Sequence, residues 1–338
     1  MANTVLTGKP MVTPEKKQHE GSIKARRVAS DTLIYIILTV MAVIWLLPVV
    51  WLLLQSFSGE KGQSGLVHFI PESWGFDNYK FLFTNQVWSK SGDAIEESQY
   101  NFFFKISSSG EPQLGAFLYT AIIAALTAVI ATLFTLATSY AFSRLRFKGR
   151  TMMMKVILII GMFPGFLGLI VLYQIFNQMG LFDSNNPTGV MWALVICYSG
   201  GAGMGYYISK GFFDTISKQI DEAAMVDGAT RFQIFYKITL PLSKPIVVYT
   251  ILTAFMGPWA EFITAKYMMR GGVTNGTSGG VVTVAPQLFD MLDEKVNRSQ
   301  YFGQFCAGAI IVAVPTSLLF IALQKNYVSG VTGGAVKG

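Results

Sequence analysis

Long apolar stretches dominate the pattern of this chain. Six predominantly apolar stretches of at least 16 residues contain no Asp, Glu, Lys or Arg, and a helix needs about 20 apolar residues to cross a bilayer. None of them alternates apolar and polar positions with a period of two, so helices are favoured over the strands of a membrane barrel. The pattern therefore predicts six membrane-spanning helices. The stretches are 32–59, 112–143, 156–182, 184–209, 245–260 and 299–324.

The composition supports a membrane protein and excludes several other classes. Of the 338 residues, 52% are hydrophobic and 13% are charged, whereas soluble domains carry about 25% charged residues. Two cysteines exclude a disulfide framework. The two histidines, His19 and His68, lie far apart in the sequence and exclude a His-rich metal site.

The distribution of basic residues predicts the orientation of the helices. Eighteen Lys and Arg residues fall in the N-terminal arm, the second and fourth connections and the tail, against eight in the other connections. Because cytoplasmic loops carry an excess of positive charge, both termini are predicted to be cytoplasmic. This topology accounts for the net charge of +7, so we expect no nucleic-acid partner.

The spans divide the chain into predicted regions. Aromatic side chains are frequent in the first external loop, which we expect to fold either as an outer cap or as a spacer without contacts. A turn followed by a short helix is predicted over 71–79 in this loop, and a short helix is predicted over 286–292 in the second external loop. The regions are a cytoplasmic arm (1–31), a first transmembrane helix (32–54), an extracytoplasmic loop (55–115), a core of five transmembrane helices (116–323) with a cytoplasmic loop (210–244) and an external loop (270–298), and a cytoplasmic tail (324–338).

The cytoplasmic loop carries the most informative local pattern. Over 214–242, Ser217 is placed to cap the N-terminus of a short helix, and Gly228 fits its C-terminus. Thr230 is placed to cap a second helix, which Pro241 ends before the fifth span. The segment is much longer than a helix–helix connection requires.

One face of the first short helix is small and mostly apolar. Ile220, Ala223, Ala224 and Asp227 follow the spacing i, i+3, i+4 and i+7. Alanine lets another protein approach closely, and a neighbouring acid can pair with a basic residue of that partner. The pattern indicates a helix that transmits force to a cytoplasmic subunit, and the alternative is a solvated amphipathic loop helix.

The same residues carry a family resemblance. The run Glu-Ala-Ala at 222–224, Gly228, and Ile-Thr-Leu-Pro at 238–241 match the EAA signature of ABC importer permeases. The segment ISKGFFDTI at 208–216, the six spans and the glycine-rich end at 326–338 are similar to the sugar permeases of maltose and maltodextrin importers, the MalG-like family.

The resemblance implies a fold and a set of partners. It implies an all-α integral membrane protein with the type I ABC importer permease fold, six transmembrane helices and cytoplasmic termini, in the bacterial cytoplasmic membrane. The partners would be two ABC ATPase subunits, a second and different permease subunit, an extracytoplasmic substrate-binding protein and the lipid bilayer. ATP and Mg would bind to the partner ATPase, and no cofactor is expected in this chain.

The resemblance also implies roles for single residues. Glu222 would pair with a basic residue of the ATPase, Ala223 and Ala224 would pack in its cleft, and Gly228 would set the turn. The external loop at 270–297 would approach the binding protein. The remaining residues of the predicted ATPase-coupling set are Asp227, Ile238, Leu240 and Pro241, and Gly333, Gly334 and Lys337 of the tail are the predicted contacts with the ATPase dimer.

Other candidate chemistry is sparse. The sequence contains no GxxxxGK[ST] phosphate loop and no arrangement of a nucleophile with a histidine, so we expect no catalytic residues. Glu261 is the one acid within a predicted span. We expect this carboxylate to lie at the outer mouth of the pathway, together with Trp259, or to form a structural hydrogen bond. The alternative role for Glu261 is a proton relay. Five aromatic residues could stack on a sugar ring or form an interfacial belt: Trp192, Tyr198, Tyr206, Tyr207 and Trp259.

The sequence therefore predicts a non-enzymatic permease subunit of an ATP-driven importer of a maltodextrin-type sugar. An ion-coupled secondary transporter is the first rival, but it would need polar residues at mid-membrane in paired half-repeats, which we do not find. A membrane anchor without transport activity is the second rival.

Overall fold

The computed structural model describes a largely helical chain. It covers residues 14–59, 68–84, 86–88, 94–97, 102–106, 112–162, 165–182, 188–200, 205–269, 281–292 and 298–335. The chain divides into two structural units, residues 1–54 and residues 55–338.

Helices make up most of both units. One helical segment, Phe235–Thr239, is a π-helical turn. The helices are α1 (Pro14–Ser56), α2 (Asp77–Thr84), α3 (Ala116–Arg144), α4 (Arg150–Gly161), α5 (Gly165–Gln178), α6 (Gly189–Gly200), α7 (Gly205–Thr215), α8 (Lys218–Val226), α9 (Arg231–Ile234), α10 (Leu240–Leu242), α11 (Lys244–Ala260), α12 (Ile263–Met269), α13 (Val284–Asp290) and α14 (Arg298–Ala335). Two antiparallel hairpins pair β1 (Gln86–Trp88) with β2 (Ala94–Glu97) and β3 (Phe104–Ile106) with β4 (Pro112–Leu114).

The described part of the first unit is a single long helix. From Val28 onward this helix has the length and composition of a membrane span, and none of its most apolar window is buried inside the protein. Large side chains such as Trp45 and Ile44 are 75% and 64% exposed. Such a continuous apolar surface is stable in lipid and unfavourable in water.

Three single helices of the described residues can cross a membrane. They are Val28–Ser56, Ala116–Arg144 and Tyr301–Lys325. Two bent helix pairs raise the number to five if each pair is one span: α4 with α5, at 97°, and 231–242 with α11, at 85°. The count of six and the cytoplasmic position of the termini therefore stay predictions.

The predicted third and fourth spans are each divided between two helices. The stretch 156–182 falls on α4 and α5, and the residues between them, 163 and 164, lie outside the described part. The stretch 184–209 covers α6 and the start of α7, with 201–204 outside it. Hydropathy alone does not reveal the 97° bend between α4 and α5.

The described parts of the predicted first external loop pack on the helices, so the alternative of a spacer without contacts is wrong. Phe81 and Phe102 are buried in one cluster with Trp259, Leu288 and other apolar residues. The cluster joins α2 and the residues before β3 to α11 and α13. The short helix predicted after a turn within 71–79 is α2, which begins at Asp77, and the one predicted over 286–292 is α13.

Helix α3 lies at the centre of the second unit and packs against α6, α7 and α11. Its buried positions are rich in alanine, threonine and serine, which allow helices to approach closely in a membrane. Ser139 Oγ lies 2.9 Å from the carbonyl oxygen of Tyr206 on α7. This bond fixes the last turns of α3 against the start of α7, and the candidate site begins where both helices end.

Candidate functional site

The EAA segment, residues 210–244, contains two short helices joined by a tight turn. Ser217 Oγ accepts a hydrogen bond of 3.3 Å from the backbone N–H of Gln219, so the predicted N-cap of α8 is confirmed. At its end, Gly228 has a φ of +83°. Gly228 N–H donates to Met225 O at 3.1 Å, and Ala229 N–H donates to Ala224 O at 2.9 Å. These two bonds form a complete Schellman motif, as a C-terminal glycine allows.

The second helix of the segment begins with a capping box. Gln233 N–H donates to Thr230 Oγ1 at 3.3 Å, and Thr230 N–H donates to Gln233 Oε1 at 2.8 Å. The sequence predicted this cap, but not the π-helical turn that follows α9. The turn precedes Pro241, whose nitrogen has no hydrogen to donate to Lys237 O. The helix ends at Leu242.

The two consecutive acids of α8 have different surroundings. Asp221 is buried, and its Oδ2 lies 3.2 Å from Nε of Arg144, the last residue of α3. Glu222 is exposed. One acid therefore holds the helix to the rest of the chain, and the other is free to meet a partner at the surface.

Arg144 is the most important residue of the site that the sequence analysis missed. Its side chain is 3% exposed, and its Nη2 donates to Phe213 O at 3.0 Å and to Ile216 O at 2.9 Å. In the sequence it is one of several basic residues after the second span. No pattern there distinguishes a buried guanidinium from the exposed side chain of Arg146.

A second polar cluster lies beside Arg144. Asp214 Oδ1 accepts a hydrogen bond of 2.6 Å from Ser143 Oγ, and Asp214 Oδ2 accepts one of 2.6 Å from Lys210 Nζ. Partial burial by itself raises the pKa of Asp214. The two hydrogen bonds and the positive charges of Lys210 and Arg150 lower the pKa by a larger amount, so the pKa of Asp214 lies below its ordinary value. The cluster attaches the end of α7 to the end of α3.

The lowered pKa of Asp214 predicts a pH dependence of stability. A carboxyl group whose pKa is lower in the folded chain stabilises that state above its ordinary pKa of 3.8, and this contribution is lost as the pH falls through the folded-state pKa. We expect Asp214→Asn to lower the thermal unfolding temperature near pH 6. Below pH 4, the difference in unfolding temperature between the variant and the wild type should become smaller as the pH falls. An equal effect at both pH values would contradict this account.

Aromatic packing completes the attachment of the EAA segment. Tyr140 of α3 donates from its hydroxyl to Arg231 O at 3.2 Å, and its ring centroid lies 4.7 Å from that of Phe235. Tyr140, Phe213 and Ile246 belong to one buried cluster, against which Leu240 packs. The segment is therefore held to α3, α7 and α11 by side-chain hydrogen bonds, ion pairs and apolar contacts.

The opposite side of the segment is an exposed surface that we call the EAA face. Val226 is 88% exposed and Phe232 is 72% exposed, which is unusual for apolar side chains beside a folded core. Glu222 adds a carboxylate to this apolar surface. The members of the EAA face are Ile220, Glu222, Ala223, Met225, Val226, Asp227, Gly228, Phe232 and Tyr236.

The other predicted coupling residues lie on both sides of the segment. Ala224 is 8% exposed and faces the chain. Ile238 and Leu240 are half-buried, and Pro241 is exposed. The small face predicted from the spacing of Ile220 and its neighbours is thus divided: Ala224 packs inward with Asp221, and the other positions are exposed.

Glu261 has a structural role. It follows α11 and caps α12, because its carboxylate accepts hydrogen bonds of 3.0 to 3.2 Å from the backbone N–H groups of Thr264 and Ala265. The hydroxyl of Tyr198 donates to the same carboxylate at 3.1 Å. Trp259 is 3% exposed and packs edge-to-face on Phe117, with ring centroids 5.2 Å apart.

The predicted contacts of the tail fall at the end of α14. The backbone of Gly333 and Gly334 is helical in its last turn, and Lys337 lies outside the described residues. The external loop at 270–298 is described only from 281 to 292 and at 298.

A cavity of about 460 Å³ lies beside the contact of α3 with α7. Trp192, Ser199 and Tyr206 line it together with mostly apolar side chains of α3, α4 and α6. It brings together two of the aromatic residues considered for sugar stacking, but its walls offer few of the hydrogen-bonding groups that a sugar needs. Among the described residues, no three His, Cys, Asp or Glu side chains are grouped to hold a metal ion.

Comparison with known proteins identifies the family. Residues 134–332 match the model of the binding-protein-dependent transport system inner membrane component. The chain belongs to this family. The match includes the whole EAA segment, Arg144 and α11, so the site described above lies within the part of the chain that matches the family.

Individual relatives cover almost the whole chain. The galactooligosaccharides transport system permease protein GanQ of Bacillus subtilis (strain 168) is 32% identical over 94% of this chain and 99% of its own length. The maltodextrin transport system permease protein MalD of Streptococcus pneumoniae (strain ATCC BAA-255 / R6) is 31% identical over the same shares.

A solved structure confirms the fold of this family member. A chain of a bacterial ABC transporter involved in the import of the acidic polysaccharide alginate matches with a TM-score of 0.61 and 20% identity. The alignment covers 94% of this chain and 99% of that one. The fold is therefore that of an ABC importer permease.

Proposed function

We propose that this chain is the membrane-spanning permease subunit of an ATP-driven, binding-protein-dependent importer of oligosaccharides in the bacterial cytoplasmic membrane. The EAA face carries the proposal: it is an exposed, mostly apolar surface that includes the carboxylate of Glu222, on a segment attached to α3, α7 and α11. Relatives at 31 to 32% identity are permeases for maltodextrins and galactooligosaccharides, which supports a neutral oligosaccharide of the maltodextrin kind as substrate.

In the proposed mechanism, a separate ATPase subunit binds the EAA face. Val226 and Phe232 supply apolar area, and Glu222 pairs with a basic residue of the ATPase. Closure of two ATPase subunits on ATP and Mg would move both EAA segments of the importer together. The attached helices would then alternate between inward-open and outward-open arrangements, with a second permease chain completing the pathway.

The remaining partners follow from the same proposal. An extracytoplasmic binding protein would deliver the sugar to the external side, near the cap and the loop at 270–298. The glycine-rich tail, with Gly333, Gly334 and Lys337, would extend toward the ATPase dimer. This chain would hydrolyse nothing itself, so its role is not enzymatic.

The ion-coupled alternative has less support. Glu261 would be its natural proton carrier, but this carboxylate caps α12 through two backbone N–H groups and accepts a bond from Tyr198. These bonds are part of the structure that begins α12, which supports a structural role for this carboxylate.

Glu222→Lys tests the proposed docking. We expect this variant to insert in the membrane, to lose at least nine tenths of the co-purifying ATPase and to abolish ATP-dependent uptake of labelled maltotriose into vesicles. Glu72→Lys is the matched control, since Glu72 is an exposed carboxylate 74% accessible in the segment before α2. We expect it to retain both properties.

The same assay separates the proposal from its rivals. Uptake by the wild-type complex should stop on ATP depletion and should persist in the presence of an ionophore. Uptake with the opposite dependence would support an ion-coupled transporter. An ATPase that binds the wild-type chain without driving any flux would support a membrane anchor.

A further inference from the structure

We propose that Arg144 is a positioning residue that makes α3, α7 and α8 move as one body, so that displacement of the EAA face reaches the membrane-spanning helices. This inference rests on the proposed function, because it presumes that an ATPase moves the EAA face. It adds the path by which that movement is transmitted.

The first observation is that one guanidinium contacts three helices. Arg144 ends α3, its Nη2 donates to Phe213 O and Ile216 O at the end of α7, and its Nε lies 3.2 Å from Asp221 in the first turn of α8. A cation at the carbonyl end of one helix and an anion at the amide end of another both match the helix dipoles. The planar guanidinium can serve these partners at once, which an ammonium group cannot do in the same geometry.

The second observation is burial. The side chains of Arg144 and Asp221 are 3% and 11% exposed, so water and salt screen their attraction little. Removal of either partner leaves the other as a buried charge without its counter-ion, which is far more costly than loss of a surface pair. The contact is therefore retained while the segment moves.

The third observation is the separation of roles on α8. Asp221 and Ala224 face the chain, whereas Glu222 and Val226 are exposed. A change at Asp221 removes an internal attachment and leaves the EAA face itself chemically intact. Docking and transmission can therefore be separated by mutation.

Asp221→Asn and Arg144→Gln test the proposal in a complex of this chain with its ATPase, second permease and binding protein, reconstituted in lipid vesicles. The readout is the amount of maltotriose transported per ATP hydrolysed. We expect both variants to bind the ATPase at the wild-type ratio and to hydrolyse ATP, with at least tenfold less sugar transported per ATP. The double variant should lose no more than either single variant, because the two residues form one contact.

Conservative and neighbouring substitutions serve as controls. Asp221→Glu keeps a carboxylate and should transport at least a third as much sugar per ATP hydrolysed as the wild type. Arg146→Gln removes a positive charge from an exposed side chain two residues after Arg144 and should change the ratio less than twofold. If Arg144→Gln fails to accumulate in the membrane, the two Asp221 variants decide the question.

Three results would overturn the inference. The first is an Asp221→Asn variant that transports as much sugar per ATP hydrolysed as the wild type. The second is an Asp221→Asn variant that loses bound ATPase in proportion to its loss of transport, which would assign Asp221 to docking. The third is failure of both Asp221→Asn and Arg144→Gln to accumulate, which would assign the pair to folding. Failure of the wild-type chain to bind any ATPase would instead refute the proposed function.

Discussion

Gly228→Val is expected to abolish sugar uptake while leaving the membrane-spanning helices inserted. Gly228 has a φ of +83°, a left-handed conformation that β-branched residues rarely adopt. Forcing valine into it costs roughly 1–3 kcal/mol, and the strain is relieved by opening the two hydrogen bonds that end α8. The EAA face then loses its shape, since Val226 precedes this turn and Phe232 follows it.

Gly228→Asn is the matched control for this prediction. A Cβ at position 228 would meet nothing within 4 Å, so the valine effect would come from backbone conformation and not from crowding within the chain. Asparagine tolerates the left-handed region better than other non-glycine residues. We expect Gly228→Asn to retain at least a third of wild-type uptake. Equal loss in both variants would show that the glycine itself is required at the partner surface.

Gly115→Ala is expected to cause the largest loss of stability. A Cβ on Gly115 would lie 2.5 Å from Phe102 O and 2.6 Å from Phe103 C, both of them backbone atoms. Gly115 N–H donates to Phe103 O at 2.7 Å, and Phe117 N–H donates to Phe102 O at 2.9 Å. These bonds hold the cap to the start of α3, so the substitution must separate the two strands of backbone. We expect a cost of about 2–4 kcal/mol from overpacking and lost hydrogen bonds.

Thermal unfolding in detergent, followed by labelling of buried thiols, measures this effect. Cys306 is 0% exposed and becomes reactive when the helices separate. We expect Gly115→Ala to lower the unfolding temperature by several degrees. Gly257→Ala is the control, because a Cβ there would meet nothing within 4 Å on α11. A similar decrease in both variants would argue against a specific close approach at Gly115.

The sequence alone determined the class of this protein. Long uncharged stretches require a lipid environment, because 52% hydrophobic residues with 13% charged ones exceed what a soluble core can bury. The EAA signature and the caps at Ser217, Gly228 and Thr230 are local patterns, and local hydrogen bonding within a few residues satisfies them. The family followed from these patterns, and the comparisons confirmed it.

Only the tertiary structure decided how the site is held. The pairing of Arg144 with Asp221 joins residues 77 positions apart in the numbering, and nothing in either local pattern selects one partner among many charges. The same holds for Glu261, whose role as a helix cap depends on the break between α11 and α12. Helix breaks, inward-facing alanine and buried ion pairs arise from packing between distant segments, and packing is not encoded in hydropathy or spacing along the chain.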